Sequence, residues 1–197
     1  MKRWLAMILV LALLGCAALA EAQTFSIRNG VAWGMTQAEV LAAEGNPKHE
    51  LENGQNGQVK LELEDLQTPG GEADLDYLFA GDALVAIKYE FDAEETAPDA
   101  ITGALDAKYG ARGNGDEGRF SALMRALSGD GFALNTAPRQ GDFLYDWAAE
   151  DVYIVMTNRL SDDGDDIDLF YFDEQAILAA ADSSVSESAP ALNPNDF

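Results

Sequence analysis

The sequence predicts an α+β protein with two layers, in which helices pack on one face of an antiparallel sheet. Short alternations of apolar and polar residues, bounded by Gly, Pro and Asn, indicate strands joined by turns. Three other stretches place apolar residues at helical spacing. A helix followed by strands and a hairpin occurs at 36–91 and again at 98–172. This order predicts either two helix-plus-hairpin repeats or simply two hairpins of one sheet.

The first helix has clear start and stop signals. Thr36 and Glu39 stand at the spacing of a capping box, in which each side chain bonds the backbone amide of the other residue. Gly45 allows a left-handed stop, and Pro47 does not continue a helix. We therefore expect a helix over about 37–44.

Two further helices and six strands follow from the remaining pattern. Pro98 suits the first turn of a helix that carries an apolar stripe and stops at Gly110, and a third helix is expected over 117–128. Gly81-Asp82 marks the turn of a hairpin. The strands are predicted at 59–66, 75–79, 83–91, 143–149, 152–160 and 167–172.

Composition excludes some partners. The chain has 197 residues, with 12 Lys and Arg against 35 Asp and Glu, a formal net charge of -23. Such a chain repels phosphate backbones and anionic lipid headgroups, so we expect no nucleic-acid partner, and any charged partner should be basic. The hydrophobic content of 48% is typical of a folded protein, and we expect one domain over 23–180.

The chain begins like an exported protein. A basic start and the apolar run from Leu5 to Ala20 are typical of a signal peptide over 1–22, cleaved after Ala22 or after Ala20. Alternatively, Cys16 follows a sequence similar to a lipobox and would be lipidated, which makes the product an outer-membrane lipoprotein. The run of 16 residues is shorter than the ~20 that span a bilayer, so we expect no transmembrane span. Membrane contact is expected only with lipidated Cys16. A disordered acidic tail is expected over 181–197.

Six short motifs are spread over the chain: Trp33-Gly34-Met35-Thr36-x-x-Glu39-Val40, Gly45-x-Pro47, Tyr77-x-Phe79, Tyr89-x-Phe91, Leu105-x-x-Lys108-Tyr109-Gly110, and Trp147 before Val152-x-Ile154-Val155. Together they resemble a family of exported bacterial proteins of unassigned function. More distantly, the capped helix that feeds an antiparallel sheet is similar to the fold class of the outer-membrane assembly lipoprotein BamE and of β-lactamase-inhibitor proteins. That resemblance implies protein binding without catalysis.

The inventory of reactive residues is small. His49 is the only histidine, so no multi-histidine metal site is available, and cleavage after Ala22 leaves no cysteine. The acidic run Asp162–Asp168 invites a calcium interpretation. With Gly164 at the sixth position of an EF-hand, however, Arg159 and Phe170 take the first and last ligand positions, and the motif fails. Weak divalent-ion binding there stays open. We therefore predict no catalytic residue, no cofactor and no dedicated metal site.

Aromatic residues offer one candidate surface. Trp147 on its strand is expected in the core, and the alternative is an aromatic protein-binding surface formed by Trp147, Tyr145 and Tyr153.

The sequence therefore predicts an exported, periplasmic or secreted binding or accessory module of the cell envelope, without catalytic activity and with a protein partner. Two alternatives stay open. One is a secreted hydrolase that uses a pair of carboxylates on peptidoglycan or polysaccharide. The other is an inhibitor of a basic envelope enzyme, which the net charge suggests.

Overall fold

A computed structural model of the chain describes residues 25–54, 58–128, 143–161 and 164–188. The predicted signal peptide, both cleavage sites, Cys16 and the tail from 189 onward lie outside these ranges. Within them, no helix is both long and apolar enough to cross a bilayer.

The core of the fold is one seven-stranded sheet in which all neighbouring strands are antiparallel. Its order is β1-β2-β3-β4-β7-β6-β5, so β4 and β7 lie side by side at the centre and join two meanders. The strands are β1 (Glu50–Asn53), β2 (Val59–Thr68), β3 (Gly71–Ala80), β4 (Ala83–Asp92), β5 (Leu144–Ala149), β6 (Val152–Ser161) and β7 (Gly164–Asp173).

Four α-helices and one 3-10 turn accompany the sheet within the described ranges. They are the turn Arg28–Gly30 and the helices α1 (Gln37–Ala43), α2 (Pro98–Tyr109), α3 (Glu117–Ser128) and α4 (Glu174–Ser188).

The capping box of α1 is confirmed. The Glu39 amide donates to Thr36 Oγ1 at 3.3 Å, and the Thr36 amide donates to Glu39 Oε2 at 2.9 Å. The backbone bond to Thr36 lowers the pKa of Glu39. Gly45 adopts the left-handed φ of +79° that stops the helix.

The two faces of the sheet are defined by alternate residues of β4. Face 1 carries Ile87, Tyr89 and Phe91, and face 2 carries Ala86, Lys88 and Glu90 together with their cross-strand neighbours.

The α+β class and the antiparallel sheet are confirmed, but the helices do not all lie on one face. On face 1, Val40 of α1 packs with Ile87, and Leu105 of α2 packs with Phe91. On face 2, Phe120 of α3 and Ile177 of α4 pack against the central strands. The predicted two layers are therefore three. The physical reason is in β7, whose Ile167-Asp-Leu-Phe-Tyr-Phe172 carries apolar residues on both faces, and both must be covered.

The halves 36–91 and 98–172 end in similar sequences, Tyr89-Glu-Phe91 and Phe170-Tyr-Phe172, but these endings do not occupy equivalent places in the sheet. Tyr89 and Phe91 project from face 1, whereas Phe170, paired with Lys88, and Phe172, paired with Ala86, project from face 2. The register therefore does not support the interpretation of these two motifs as matching positions of a repeat.

The last helix overlaps the start of the predicted tail. Helix α4 continues to Ser188, where a disordered segment was expected from 181. Once its first turns pack against α3, further turns of a helix add at little cost, since nucleation is the expensive step.

Candidate functional site

The candidate site is a cleft on face 1, which we call the cleft. It consists of two cavities of about 440 and 300 Å³ that share Arg28, Tyr89, Lys108 and Tyr171. Both volumes fall near the range of about 300–1,000 Å³ that is usual for ligand pockets. Three separate segments surround it: the chain from Phe25 through the 3-10 turn, the β2–β3 turn, and α2.

The floor of the cleft is aromatic. Tyr89, Phe91 and Tyr171 come from the two central strands, and Leu169 lies beside them. Tyr89 and Tyr171 meet edge to face with ring centroids 6.2 Å apart. Burial raises the pKa of both tyrosines, so each hydroxyl stays neutral and acts as a hydrogen-bonding group.

One wall of the cleft is the segment with the 3-10 turn Arg28–Gly30. The carboxylate of Glu44, at the C-terminus of α1, holds this wall in place. Arg28 Nε lies 3.2 Å from Glu44 Oε1, Asn29 Nδ2 donates to Oε2 at 2.8 Å, and the Tyr77 hydroxyl donates to Oε1. The Glu44 side chain is only 2% exposed. Because three donors converge on one buried carboxylate, the 3-10 turn is fixed to both α1 and the sheet.

The end of the cleft beside Phe25 is formed by stacked aromatic rings. Phe25 stacks on Trp33 with centroids 5.7 Å apart and an interplanar angle of 5°, and it lies 5.5 Å from Tyr171. The Gly34 amide donates to the Leu84 carbonyl at 2.9 Å and ties this segment to β4. The aromatic wall is thus attached to the sheet by backbone bonds.

The opposite wall is α2. Ile101 and Leu105 are buried against the sheet, while Ala104, one turn away on the exposed side, leaves room above the floor. Trp147 Nε1 donates to Asp106 Oδ1 at 2.9 Å, and this bond holds α2 onto β5.

A second feature, the polar patch, lies on face 2 of the sheet. Lys88 is 5% exposed and its Nζ lies 3.3 Å from Asp168 Oδ1 and 3.9 Å from Asp76 Oδ2. Lys60 Nζ lies 2.9 Å from Glu62 Oε2 and 4.0 Å from Asp76 Oδ1. The members are Lys60, Glu62, Asp76, Lys88, Glu90 and Asp168.

Burial and charge compete at the polar patch. Burial raises the pKa of Asp76 to about 6, although Lys88 and Lys60 pull it down. Burial disfavours the charge of Lys88, yet the carboxylates of Asp168 and Glu90 outweigh it and raise the lysine pKa. Both lysines therefore stay charged, and Asp76 changes its protonation near pH 6.

The predicted aromatic surface is not formed, and this corrects the grouping of Trp147, Tyr145 and Tyr153. Trp147 is 4% exposed and lies on face 1 with Tyr145, whereas Tyr153 pairs with Ala148 and lies on face 2. Tyr153 is 2% exposed beneath the guanidinium of Arg119, 3.8 Å from its ring centroid. Neither Trp147 nor Tyr153 offers an anchor to a partner, and the core interpretation of Trp147 holds.

The other polar residues that the sequence singled out lie apart from the cleft. His49 is exposed, with Nδ1 3.0 Å from the Pro47 carbonyl oxygen. Asp168, at the end of the acidic run, is fully buried beside Lys88, whereas Asp162 and Asp163 lie outside the described residues. Among the residues that the structure describes, no three His, Cys, Asp or Glu side chains come together as a metal site.

Sequence reasoning did not find the cleft. Tyr89, Phe91, Leu105 and Lys108 were predicted as parts of family motifs, of a strand or of an apolar helix stripe, and not as site residues. The structure shows that all four line the cleft. No motif or periodic pattern in the sequence pointed to Arg28 as a site residue. The pairing of β4 with β7, which brings these segments together, joins residues about eighty positions apart.

Comparison of the chain with protein-family models, with curated proteins and with solved structures found no match.

Proposed function

We propose that this chain is an exported binding module of the cell envelope that holds a segment of a protein partner in the cleft. The carrying observation is the cleft itself: an aromatic floor framed by three chain segments, one of them fixed through the buried Glu44. Concave sites with apolar floors and a few convergent polar groups are the usual form of binding sites. The basic start and apolar run of the sequence support export.

Site-specific photocrosslinking tests this proposal. A benzoylphenylalanine residue at Ala104 places the reactive ketone in the cleft, whereas the same residue at Ala107 lies on the exposed side of α2, outside the lining. In intact cells of the native host, we expect an adduct with one protein partner from position 104 and none from 107. Equal adducts at both positions, or adducts at neither, would contradict the proposal.

A second candidate is the carboxylate-dependent hydrolase, which the raised pKa of Asp76 favours. A carboxyl that titrates near pH 6 suits general acid catalysis, and Glu62, its cross-strand neighbour, supplies a second carboxylate. If the polar patch hydrolyses peptidoglycan, Asp76→Asn should lower turnover by about 100-fold or more. Unchanged sugar or peptide release by that variant, or none by the unaltered protein, would remove this candidate.

A further inference from the structure

The charge of the cleft is opposite to the charge of the chain. Asp and Glu make up 35 of 197 residues, about one in six, yet none of the residues that line the two cavities is acidic. The charged residues that do line them, Arg28 and Lys108, are both basic and both line each cavity. In an acidic chain, the cleft therefore presents two cationic side chains and no lining carboxylate, an arrangement that favours an anion.

Arg28 is presented to the cleft by its bond to Glu44. A guanidinium carries five N–H donors. Arg28 forms its ion pair with Glu44 at Nε and also bonds the Tyr89 side chain, so further donors are available for a second acceptor. Because Glu44 is nearly fully buried and Asn29 is held on the same carboxylate, the guanidinium is positioned before any ligand arrives. Such prior positioning lowers the entropy cost of binding an anion.

Lys108 supplies a second cation from the opposite wall. It lies in the last turn of α2, is exposed, and has its Nζ 4.8 Å from the centre of the Tyr109 ring. The two cations thus come from different segments and border the same aromatic floor of Tyr89 and Tyr171.

We infer that the cleft binds the free carboxyl terminus of a partner protein whose last residues are apolar, with the carboxylate between Arg28 and Lys108. This inference rests on the proposed function and names the segment that is bound. A chain terminus carries an anion and an apolar side chain on one residue, which matches cations placed directly beside an aromatic floor. An internal apolar segment supplies the apolar side chain but no carboxylate.

The test compares two peptides that differ only in their terminal group. Dansyl-Gly-Ala-Leu-Phe as the free acid and as its amide are titrated against the exported protein, with fluorescence anisotropy as the readout at low ionic strength. We expect the acid to bind at least about tenfold more tightly than the amide, because the amide lacks the negative charge that pairs with the two cations.

Variants then locate the anion site. Lys108→Gln should remove most of the preference for the acid, because it deletes one of the two cations from an exposed position. Arg125→Gln removes the same unit of charge from the exposed side of α3, on the other face of the sheet, and should keep the preference. Arg28 is left intact, because its removal would leave the buried carboxylate of Glu44 without its cationic partner.

The outcomes separate this inference from the proposed function. Equal affinity for acid and amide, with both lost in Ala104→Trp and kept in Ala107→Trp, would overturn the carboxyl-terminus inference while leaving a cleft that binds apolar segments. Binding of dodecanoate without binding of either peptide would also overturn it, in favour of a lipid acid. If neither peptide nor dodecanoate binds, the inference fails, and the crosslink at position 104 decides the proposed function by itself.

Discussion

At the scale of single residues, the polar patch places charged side chains inside the protein. Lys88 and Asp168 are buried, and buried charges are costly to remove from water unless they are paired. Lys88 and Lys60 are surrounded by more carboxylates than two positive charges can neutralise. The Asp76 carboxylate lies between them, 3.9 Å from Lys88 Nζ and 4.0 Å from Lys60 Nζ. These distances exceed those of a hydrogen bond, so burial dominates at Asp76 and raises its pKa.

This arrangement predicts how stability depends on pH. The pKa of Asp76 is about 6 in the folded protein and near 3.8 when exposed, so the folded state binds the extra proton between these values. The stabilisation that comes from binding this proton is complete below pH 3.8 and is lost as pH rises through about 6. Relative to Asp76→Asn, the unaltered protein should lose about 3 kcal/mol of unfolding free energy over this window.

Urea unfolding of both proteins between pH 4 and 7 measures this difference. Asp82→Asn, in the exposed hairpin turn, is the control and should show a difference from the unaltered protein that stays flat with pH. A flat difference for Asp76→Asn as well would show that Asp76 does not carry a raised pKa in the folded protein.

At the scale of elements, local signals determined what forms, and packing determined where it lies. The helix 98–109 was predicted within one residue at its end, because Pro98 and Gly110 mark its limits in the sequence. Strand β1 was missed because four exposed residues, Glu50–Asn53, give no buried face to detect. The side of the sheet that each helix covers follows from contacts distant in sequence, which local patterns do not contain.

Helix α4 provides a test of its packing from two neighbouring residues. Ile177 is 1% exposed in the cluster with Phe170 and Phe172, whereas Leu178, the next residue, is 47% exposed. Ile177→Ala should lower the unfolding free energy by about 2–5 kcal/mol, and Leu178→Ala by less than about 0.5 kcal/mol. Chemical denaturation of both variants measures this. Similar losses from both would mean that α4 does not dock on face 2 in this orientation.

At the scale of the whole molecule, the pairing of β4 with β7 makes one sheet from two meanders. Their register runs from Ala86 opposite Phe172 to Asp92 opposite Asp166. Clusters on both faces cross this seam, since Phe91 of the first meander shares a cluster with Ile154 of the second. We therefore expect the two halves to unfold as one cooperative unit.

Two tryptophans report on the two halves. Trp147→Phe leaves Trp33 beside α1, and Trp33→Phe leaves Trp147 on β5, in protein purified after export. For each variant, the urea midpoint from tryptophan fluorescence should coincide with the midpoint from far-ultraviolet circular dichroism. Comparison within each variant makes any destabilisation by the substitution irrelevant. Separate midpoints would show that the meanders unfold independently.

By itself, the sequence determined the α+β class, the antiparallel strands and most of the helix limits, because caps, turns and periodicity act over a few residues. It also determined the net charge of -23, from which we expect neither nucleic acid nor anionic membranes as partners. Only the tertiary structure decided the three layers, the separation of Tyr153 from Trp147, and the assembly of Arg28, Tyr89, Lys108 and Tyr171 into one cleft. The reason is physical: strand order and face assignment are set by long-range pairing, and an acid-free cleft in an acidic chain depends on which residues that pairing brings together.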